Sequence, residues 1–408
     1  MAEDMYAGMI SVDEAFELVM SGISVLEAEE ISVAGGLDRV LAADVASRVT
    51  QPPDAMSAMD GYAVRAEDVA TVPVTLTQIG ESAAGNGFDG KIAPGQTVRI
   101  FTGAPLPEGA DAIIIQEDTD TDGDQITVLE GVAAGRYVRP AGLDFAEGEV
   151  LLKSSKRLNS RDIALICAMN VPWISVMRRP RVAILSTGDE LVMPGEPIGP
   201  NQIISSNSIG LSAFVEAAGG IPINLGIAKD TAESLRNKLR GIAGADMLVT
   251  IGGASVGDYD LIESVLGKEG LDINFGKVAM RPGKPLIFGK ILGIPMLGLP
   301  GNPVSAGVTS TLFLKPAIDK MLGFDAGAAS QSSALLGRDL DENDRRQDYL
   351  RSTLEVNSDG ELVATPFSKQ DSSMLATFSK ADCLVIRAPH APAIKKGGRV
   401  SIIRLDPA

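Results

Sequence analysis

The sequence predicts a multidomain α/β and β protein: a doubly wound α/β domain, a β-rich domain inserted between two helical pieces, and a small C-terminal β domain. Three observations predict it. From Arg181 to Met321, continuous apolar runs alternate with segments of helical periodicity, the pattern of strands covered on both faces of a parallel sheet. From about residue 31 to 147, short β-rich runs are separated by clusters of Gly, Pro and Asp, and beyond residue 334 only strand-like runs remain. The 408 residues also exceed the roughly 250–300 at which a single core stops growing.

In chain order, Ser11-Val12-Asp13-Glu14 reads as a capping box that opens a helix carrying Phe16, Leu18, Val19 and Met20. The β-rich runs are Val72–Ile79, Thr97–Phe101, Ala112–Gln116 and Gln125–Leu129, whereas residues 51–64 fit neither period and read as a loop. Helical spacing returns over Asn159–Met169. This grammar divides the chain into a helical linking domain (1–30 plus 148–179), a β-rich inserted domain (31–147), a doubly wound domain (180–326) and a C-terminal β domain (334–408). Within the third, strands are expected at Val182–Leu185, Ile221–Leu225, Met247–Ile251, Ile273–Val278 and Pro295–Leu299. The helices between them are Ser208–Ala218, Thr231–Leu239 capped by Asp230, Leu261–Leu266, and Pro303–Met321. After a small-residue linker at Ala326–Ser333, strands are expected at Tyr349–Val356, Leu362–Pro366, Cys383–Ile386 and Val400–Leu405.

Composition removes whole classes of chemistry. Residues 1–150 hold 27 acids and 7 bases, while residues 151–408 hold 26 acids and 29 bases, so the net charge of −17 belongs to the first third. Such a balance argues against nucleic-acid binding, which needs a basic face to release counterions. The single histidine, His390, excludes Ser-His-Asp and Cys-His catalysis, and Cys167 and Cys383, both read as buried, cannot frame a disulfide scaffold or a four-thiolate metal site. No apolar run approaches the roughly 18 residues of a membrane span, and the N-terminus lacks a signal pattern, so a cytoplasmic protein is expected.

Three loops that follow expected strands gather polar residues at one sheet edge, where ligands of such folds sit. They are Ser186-Thr187-Gly188-Asp189-Glu190, Gly252-Gly253-Ala254-Ser255-Val256-Gly257-Asp258-Tyr259-Asp260, and Leu299-Pro300-Gly301-Asn302-Pro303-Val304-Ser305. The second and third read as phosphate cradles or as ordinary turns, and Asp258 and Asp260 with Asp189 and Glu190 as hard ligands for Mg²⁺ or as solvated turn acids. If Lys277–Arg281 is extended, both cations share one face with Val278 and Met280 opposite, and the stripe ends at Lys284; it suits a bound oxyanion, or is a solvated strand face.

Six stretches together resemble the molybdopterin molybdenumtransferase family, which includes the C-terminal domain of gephyrin. They are Pro52-Pro53 through Met59-Asp60-Gly61-Tyr62-Ala63, Thr102 through Asp111, Ser186 through Leu191, Gly252–Asp260, Arg281-Pro282-Gly283-Lys284-Pro285, and Leu299 through Ser305. The resemblance implies a homodimer of four-part subunits that inserts molybdate into the dithiolene of adenylated molybdopterin, with AMP released in a Mg²⁺-dependent step. It carries catalytic roles to Asp60, Thr102, Asp144, Glu190 and Asp260, and metal binding to Glu190, Asp258 and Asp260. Substrate binding falls to Arg139, Asp230, Ser255, Lys277, Arg281, Lys284, Pro300, Pro303 and Ser372, with the site completed by the β-rich domain of the dimer mate. Ile204 and Ser205 stand where the family usually has Tyr and Asp, Pro140-Ala141 follows Arg139 where arginines are common, and Ala254 replaces a frequent Val.

Two other readings compete: a molybdopterin adenylyltransferase, against which the flanking β domains argue, and a non-catalytic dimeric scaffold of the same fold. Because the first third is so acidic, long-range steering of an anionic substrate would be poor; Mg²⁺ or handover from a molybdopterin adenylyltransferase is the expected route.

Overall fold

The structure, a computed structural model, describes residues 8–252, 270–324, 327 and 329–405. Its contacts divide into two compact units, Glu30–Val176 on the one hand and the chain before and after that segment on the other. The helix Val12–Gly22, with the expected capping box at Ser11, belongs to the second of these, and the helix Ser160–Ala168 to the first.

Unit Glu30–Val176 is built on a six-stranded sheet ordered Ala112–Ile115, Gly61–Val64, Gln96–Ile100, Val74–Ser82, Gln125–Val128, Thr119–Asp122. Gly61–Val64 corrects the loop expected over residues 51–64: it is a fully buried inner strand. Its period-2 alternation sends Ala63 into one apolar cluster with Val98, Ile100 and Ile113, and Val64 into another with Leu76, Ile114 and Val128. The strand is only four residues long and starts at Gly61, where a Cβ would fall 1.9 Å from the Ile114 carbonyl oxygen. Too short to display a period, it escaped the pattern. A third cluster joins Leu41, Phe145, Leu152 and Ile174 to the helix Ser160–Ala168 through Ile166. Cys167, expected to be buried, lies on the outer face of that helix and is exposed, whereas Cys383 is buried.

The other unit contains the doubly wound sheet, ordered Ile221–Ala228, Arg181–Thr187, Met247–Ile251, Ile294–Leu299, Pro285–Ile291, Asp272–Lys277. The first four strands are parallel and the last two run antiparallel to their neighbours. Pro285–Ile291 was not expected from sequence. It forms a hairpin with Ile294–Leu299 through Leu292 (φ 49°) and Gly293 (φ 86°), a doubly positive turn that an Asn-Gly or Asp-Gly pair would have advertised and Leu-Gly does not. Leu235 and Leu239, one turn apart on Ala232–Leu239, join Ala183, Leu185 and Leu248 of the sheet in one core, each contributing about 1.5–3 kcal/mol. The expected helix Leu261–Leu266 lies outside the described residues. Pro303–Met321 is helical throughout, with a π segment at Ser310–Leu314.

The C-terminal strands Gln347–Val356, Leu362–Pro366, Gln331–Leu336, Arg399–Arg404 and Cys383–Arg387 pair in that order. Because Cys383–Arg387 also pairs with Gln347–Val356, the sheet closes into a small barrel without free edges among these strands. Gln331–Leu336 starts inside the expected linker, and a one-turn helix, Leu375–Phe378, interrupts the strands-only expectation. No helix among the described residues is long and apolar enough to cross a membrane.

Candidate functional site

At the C-terminal edge of the doubly wound sheet lies a cavity of about 550 Å³, walled by Ser186–Gly188, Glu190, Ile203–Asn207, Asp230, Gly252 and Pro300–Pro303. Local chemistry explains how each wall is held. Gly252 turns the chain at φ +86°, where a Cβ would meet the Thr187 carbonyl oxygen at 2.7 Å. The short parallel pair Leu191–Val192 with Ile203–Ile204, together with the Ile203 amide donating to the Glu190 carbonyl at 2.8 Å, brackets the Glu190 loop against the isoleucine rim. The Asn207 side-chain amide donates to the Gly301 carbonyl at 2.7 Å and fixes the third loop.

The sequence places Asp230 at the cap of the following helix, and the structure corrects this by one residue. The cap is Thr231, whose hydroxyl accepts the Ser234 amide, and Asp230 is left at the cavity wall with its own amide donating to Asp189 Oδ1 at 3.2 Å. Four of the site residues implied by the resemblance therefore line one cavity, Glu190, Asp230, Pro300 and Pro303, and so do Ile204 and Ser205, which depart from the family pattern. Ser372 stands beside it, its hydroxyl accepting the Asn302 side-chain amide at 2.9 Å and its carbonyl accepting the Val304 amide at 3.1 Å. Ser255, Asp258 and Asp260 lie outside the described residues.

The cationic stripe is interrupted. Val278 and Met280 are fully buried opposite exposed Lys277 and Arg281, as the alternation required, but Lys277 ends a strand of the doubly wound sheet while Arg281 pairs with the barrel strand Gln347–Val356. Arg281 is ion-paired with Asp348 and, at 3.4 Å, with Asp344. Lys284, half-buried, accepts the Val278 amide at 3.0 Å through its carbonyl. None of these three cations lines the cavity.

Asp60, Thr102, Arg139 and Asp144 belong to unit Glu30–Val176 and are all exposed. Asp60 Oδ1 accepts both the amide (2.7 Å) and the hydroxyl (2.8 Å) of Thr102, bonds that hold its carboxyl below the ordinary range. Arg139 pairs with Met56, and the Asp144 amide donates to the Gln51 carbonyl at 3.0 Å. The stretch from Gln51 to Asp60 thus ties all four into one loop cluster.

Ser186 and Thr187, which the sequence marks only as part of the polar loop Ser186–Glu190, also line the cavity, as do Asn207 and Ser373, to which it assigns no role. As a donor set, the Glu190 and Asp230 carboxylates with the Ser186 and Thr187 hydroxyls are hard oxygens, which suits Mg²⁺ held by one or two carboxylates and substrate phosphates. Among the described residues no three His, Cys, Asp or Glu side chains cluster.

Comparison with known proteins agrees along the whole chain. Three family models match in order: the MoeA N-terminal region (domain I and II) over residues 10–170, a probable molybdopterin binding domain over 183–320, and the MoeA C-terminal region (domain IV) over 333–405. Fold and site thus define a multidomain protein whose doubly wound part is of the molybdopterin-binding type. The molybdopterin molybdenumtransferase of Nostoc sp. is 37% identical, covering 98% of this chain and 95% of its own length, and that of Haemophilus influenzae is 33% identical, covering 97% and 98%. A crystal structure of a molybdopterin biosynthesis MoeA protein from Pyrococcus horikosii is similar with a TM-score of 0.86 at 32% identity, covering 98% of this chain and all of that one. The chain belongs to the molybdopterin molybdenumtransferase family.

Proposed function

We propose that this chain is a transferase that inserts molybdate into the dithiolene of adenylated molybdopterin and releases AMP. The observation that carries the reading is the cavity at the C-terminal edge of the doubly wound sheet, lined by Glu190, Asp230 and several hydroxyl residues, Ser186 and Thr187 among them, in a chain whose full length resembles molybdopterin molybdenumtransferases. The residue inventory suits this chemistry: the substrate supplies its own thiolates, so neither a protein nucleophile nor a histidine is needed.

Glu190, with Asp258 and Asp260, would hold Mg²⁺. When bound, the ion lowers the charge that opposes attack at the pyrophosphate. Asp230, Ser255, Pro300, Pro303 and Ser372 orient the substrate, and Lys277, Arg281 and Lys284 offset the charge of phosphate or molybdate. Asp60, Thr102, Arg139 and Asp144 act in this proposal from the partner subunit of a homodimer, shaping the molybdate pocket. The proposal includes the four-part division 1–30 plus 148–179, 31–147, 180–326 and 334–408, a cytoplasmic location, and handover of substrate from a molybdopterin adenylyltransferase.

The test is rescue of a strain lacking its molybdenumtransferase, scored by nitrate reductase activity. Rescue by the chain and its loss in Asp260→Ala are expected. Failure of the intact chain to rescue, together with no AMP release from adenylated molybdopterin and molybdate, would overturn the reading. Full AMP release by both Asp258→Ala and Lys277→Ala would overturn their assigned roles.

A further inference from the structure

In the doubly wound sheet the strand Arg181–Thr187 lies between Ile221–Ala228 on one side and Met247–Ile251 on the other, so the chain leaves it for the first neighbour and then crosses back over it to the second, where the direction of winding reverses. Ligands of open α/β sheets bind in the crevice at such a reversal. Ser186 stands at that point, in register with Ile251 on one neighbour and Ile227 on the other. Its residue is 1% exposed, it lines the cavity, and its hydroxyl has no hydrogen-bond partner among the described residues.

Buried hydroxyls are overwhelmingly bonded, so an orphan calls for an explanation. Thr250, on the adjacent strand, is likewise buried and without a partner, but it does not border the cavity. Orphan status alone therefore does not distinguish Ser186; its position on the cavity wall does. The partner it lacks belongs to whatever fills that space.

The surroundings specify the chemistry of that partner. The helix Asn207–Ala217 begins at the cavity and directs the positive end of its dipole toward it; the longer helical stretch from Pro303 begins there too, although Pro303 has no N–H and the Val304 amide is taken by the Ser372 carbonyl. Gly252 keeps its side of the crevice free of a Cβ, which lets a ligand approach the backbone. A buried O–H donor in this field suits an anionic oxygen.

We propose that Ser186 is a binding residue that sets specificity, donating its hydroxyl to a phosphoryl oxygen of the adenylated substrate and so favouring the phosphorylated nucleoside over the bare one. This rests on the reading of the cavity as the site of adenylated molybdopterin. The probes are AMP and adenosine, titrated calorimetrically against the full chain and its Ser186→Ala and Ser186→Cys variants.

The intact chain should bind AMP more tightly than adenosine, and Ser186→Ala should weaken AMP about tenfold while leaving adenosine unchanged. Ser186→Cys keeps the branching of the side chain, with a somewhat larger atom and only a weak donor, so it should lose most of the same preference. The free Ser186→Ala protein should unfold in urea at a midpoint no lower than the intact chain, since alanine removes an unsatisfied hydroxyl; a structural serine would behave oppositely. Unchanged AMP affinity in Ser186→Ala, or an equal loss for AMP and adenosine, would overturn the inference with the cavity assignment intact. An intact chain that binds neither probe would overturn the assignment and the inference with it.

Discussion

Arg281 and Asp348 form an ion pair in which the carboxylate side chain is 4% exposed and the guanidinium side chain 47%. Burial pushes the Asp348 carboxyl above its ordinary range against the pull of Arg281, and its second oxygen has no partner among the described residues. Removing Arg281 leaves this buried carboxylate short of its main counter-charge.

Arg281→Ala is accordingly expected to cost about 1–3 kcal/mol of unfolding free energy, discounted from a fully buried pair because the arginine is half in water. A carboxyl raised in the folded state contributes stability that is present at acid pH and lost as pH rises through the folded value, so the penalty should be larger near pH 7 than near pH 4. Urea unfolding of Arg281→Ala, Asp348→Asn and the double variant measures this. Strictly additive effects would show that the two side chains are not coupled.

A second prediction concerns Arg178, which donates to both carboxylate oxygens of Asp246, at 2.9 and 2.8 Å, while the Arg181 amide donates to the same group at 2.7 Å. Burial raises the Asp246 carboxyl, but the Arg178 hydrogen bonds and the Arg181 amide outweigh it and leave it below the ordinary range. A lowered carboxyl contributes stability above its unfolded value and loses it as pH falls through the folded one. Unfolding free energy should therefore drop in acid below about pH 4, and Asp246→Asn should flatten that part of the profile and cost about 1–3 kcal/mol at neutral pH. A variant with the same acid slope as the intact chain would contradict this.

Asp60 offers a titration that needs no activity assay. Its carboxyl is held low by the Thr102 amide first and the Thr102 hydroxyl second. In Thr102→Val the amide remains and the hydroxyl is gone, so a carbon-detected NMR titration should find Asp60 shifted upward but still below an ordinary aspartate. In Thr102→Ser it should stay near the intact value. AMP release should fall more in Thr102→Val than in Thr102→Ser if the oriented Asp60 carboxylate serves the reaction.

Legibility of the site followed the length scale of the signal. The doubly wound domain could be read because runs such as Val182–Leu185 are continuously apolar and completely buried, and the C-terminal ends of its strands brought Glu190, Pro300 and Pro303 to one cavity. Gly61–Val64 and Pro285–Ile291 escaped, the first being too short for a period and the second joined by a turn without its usual residues. Arg281 could be placed on the face of Lys277, but its acidic partners lie 63 and 67 residues further along the chain and cannot be paired with it by spacing. Asp230 reads as a cap from sequence because the rule tolerates a shift of one residue, and that shift decides whether its carboxylate serves a helix or a cavity.

Gly252 and Gly301 provide the last prediction, because they approach each other on opposite loops of the cavity yet differ in what they tolerate. At Gly252 the backbone is left-handed, and a Cβ would sit 2.7 Å from the Thr187 carbonyl oxygen, which belongs to the strand end and cannot swing aside. At Gly301 the nearest atom to a Cβ is the Gly252 Cα at 3.7 Å, an ordinary contact. Gly252→Ala should thus cost about 1–3 kcal/mol, combining left-handed strain with displacement of the strand end that carries Ser186 and Thr187. Gly301→Ala should stay within about 1 kcal/mol of the intact chain, as a surface loop change without strain does. Urea midpoints compare the two directly, and AMP binding adds the functional half. Loss of AMP affinity in Gly252→Ala under conditions where the variant remains folded would tie the crossing of these loops to the ligand, whereas equal midpoints for the two variants would refute the steric argument.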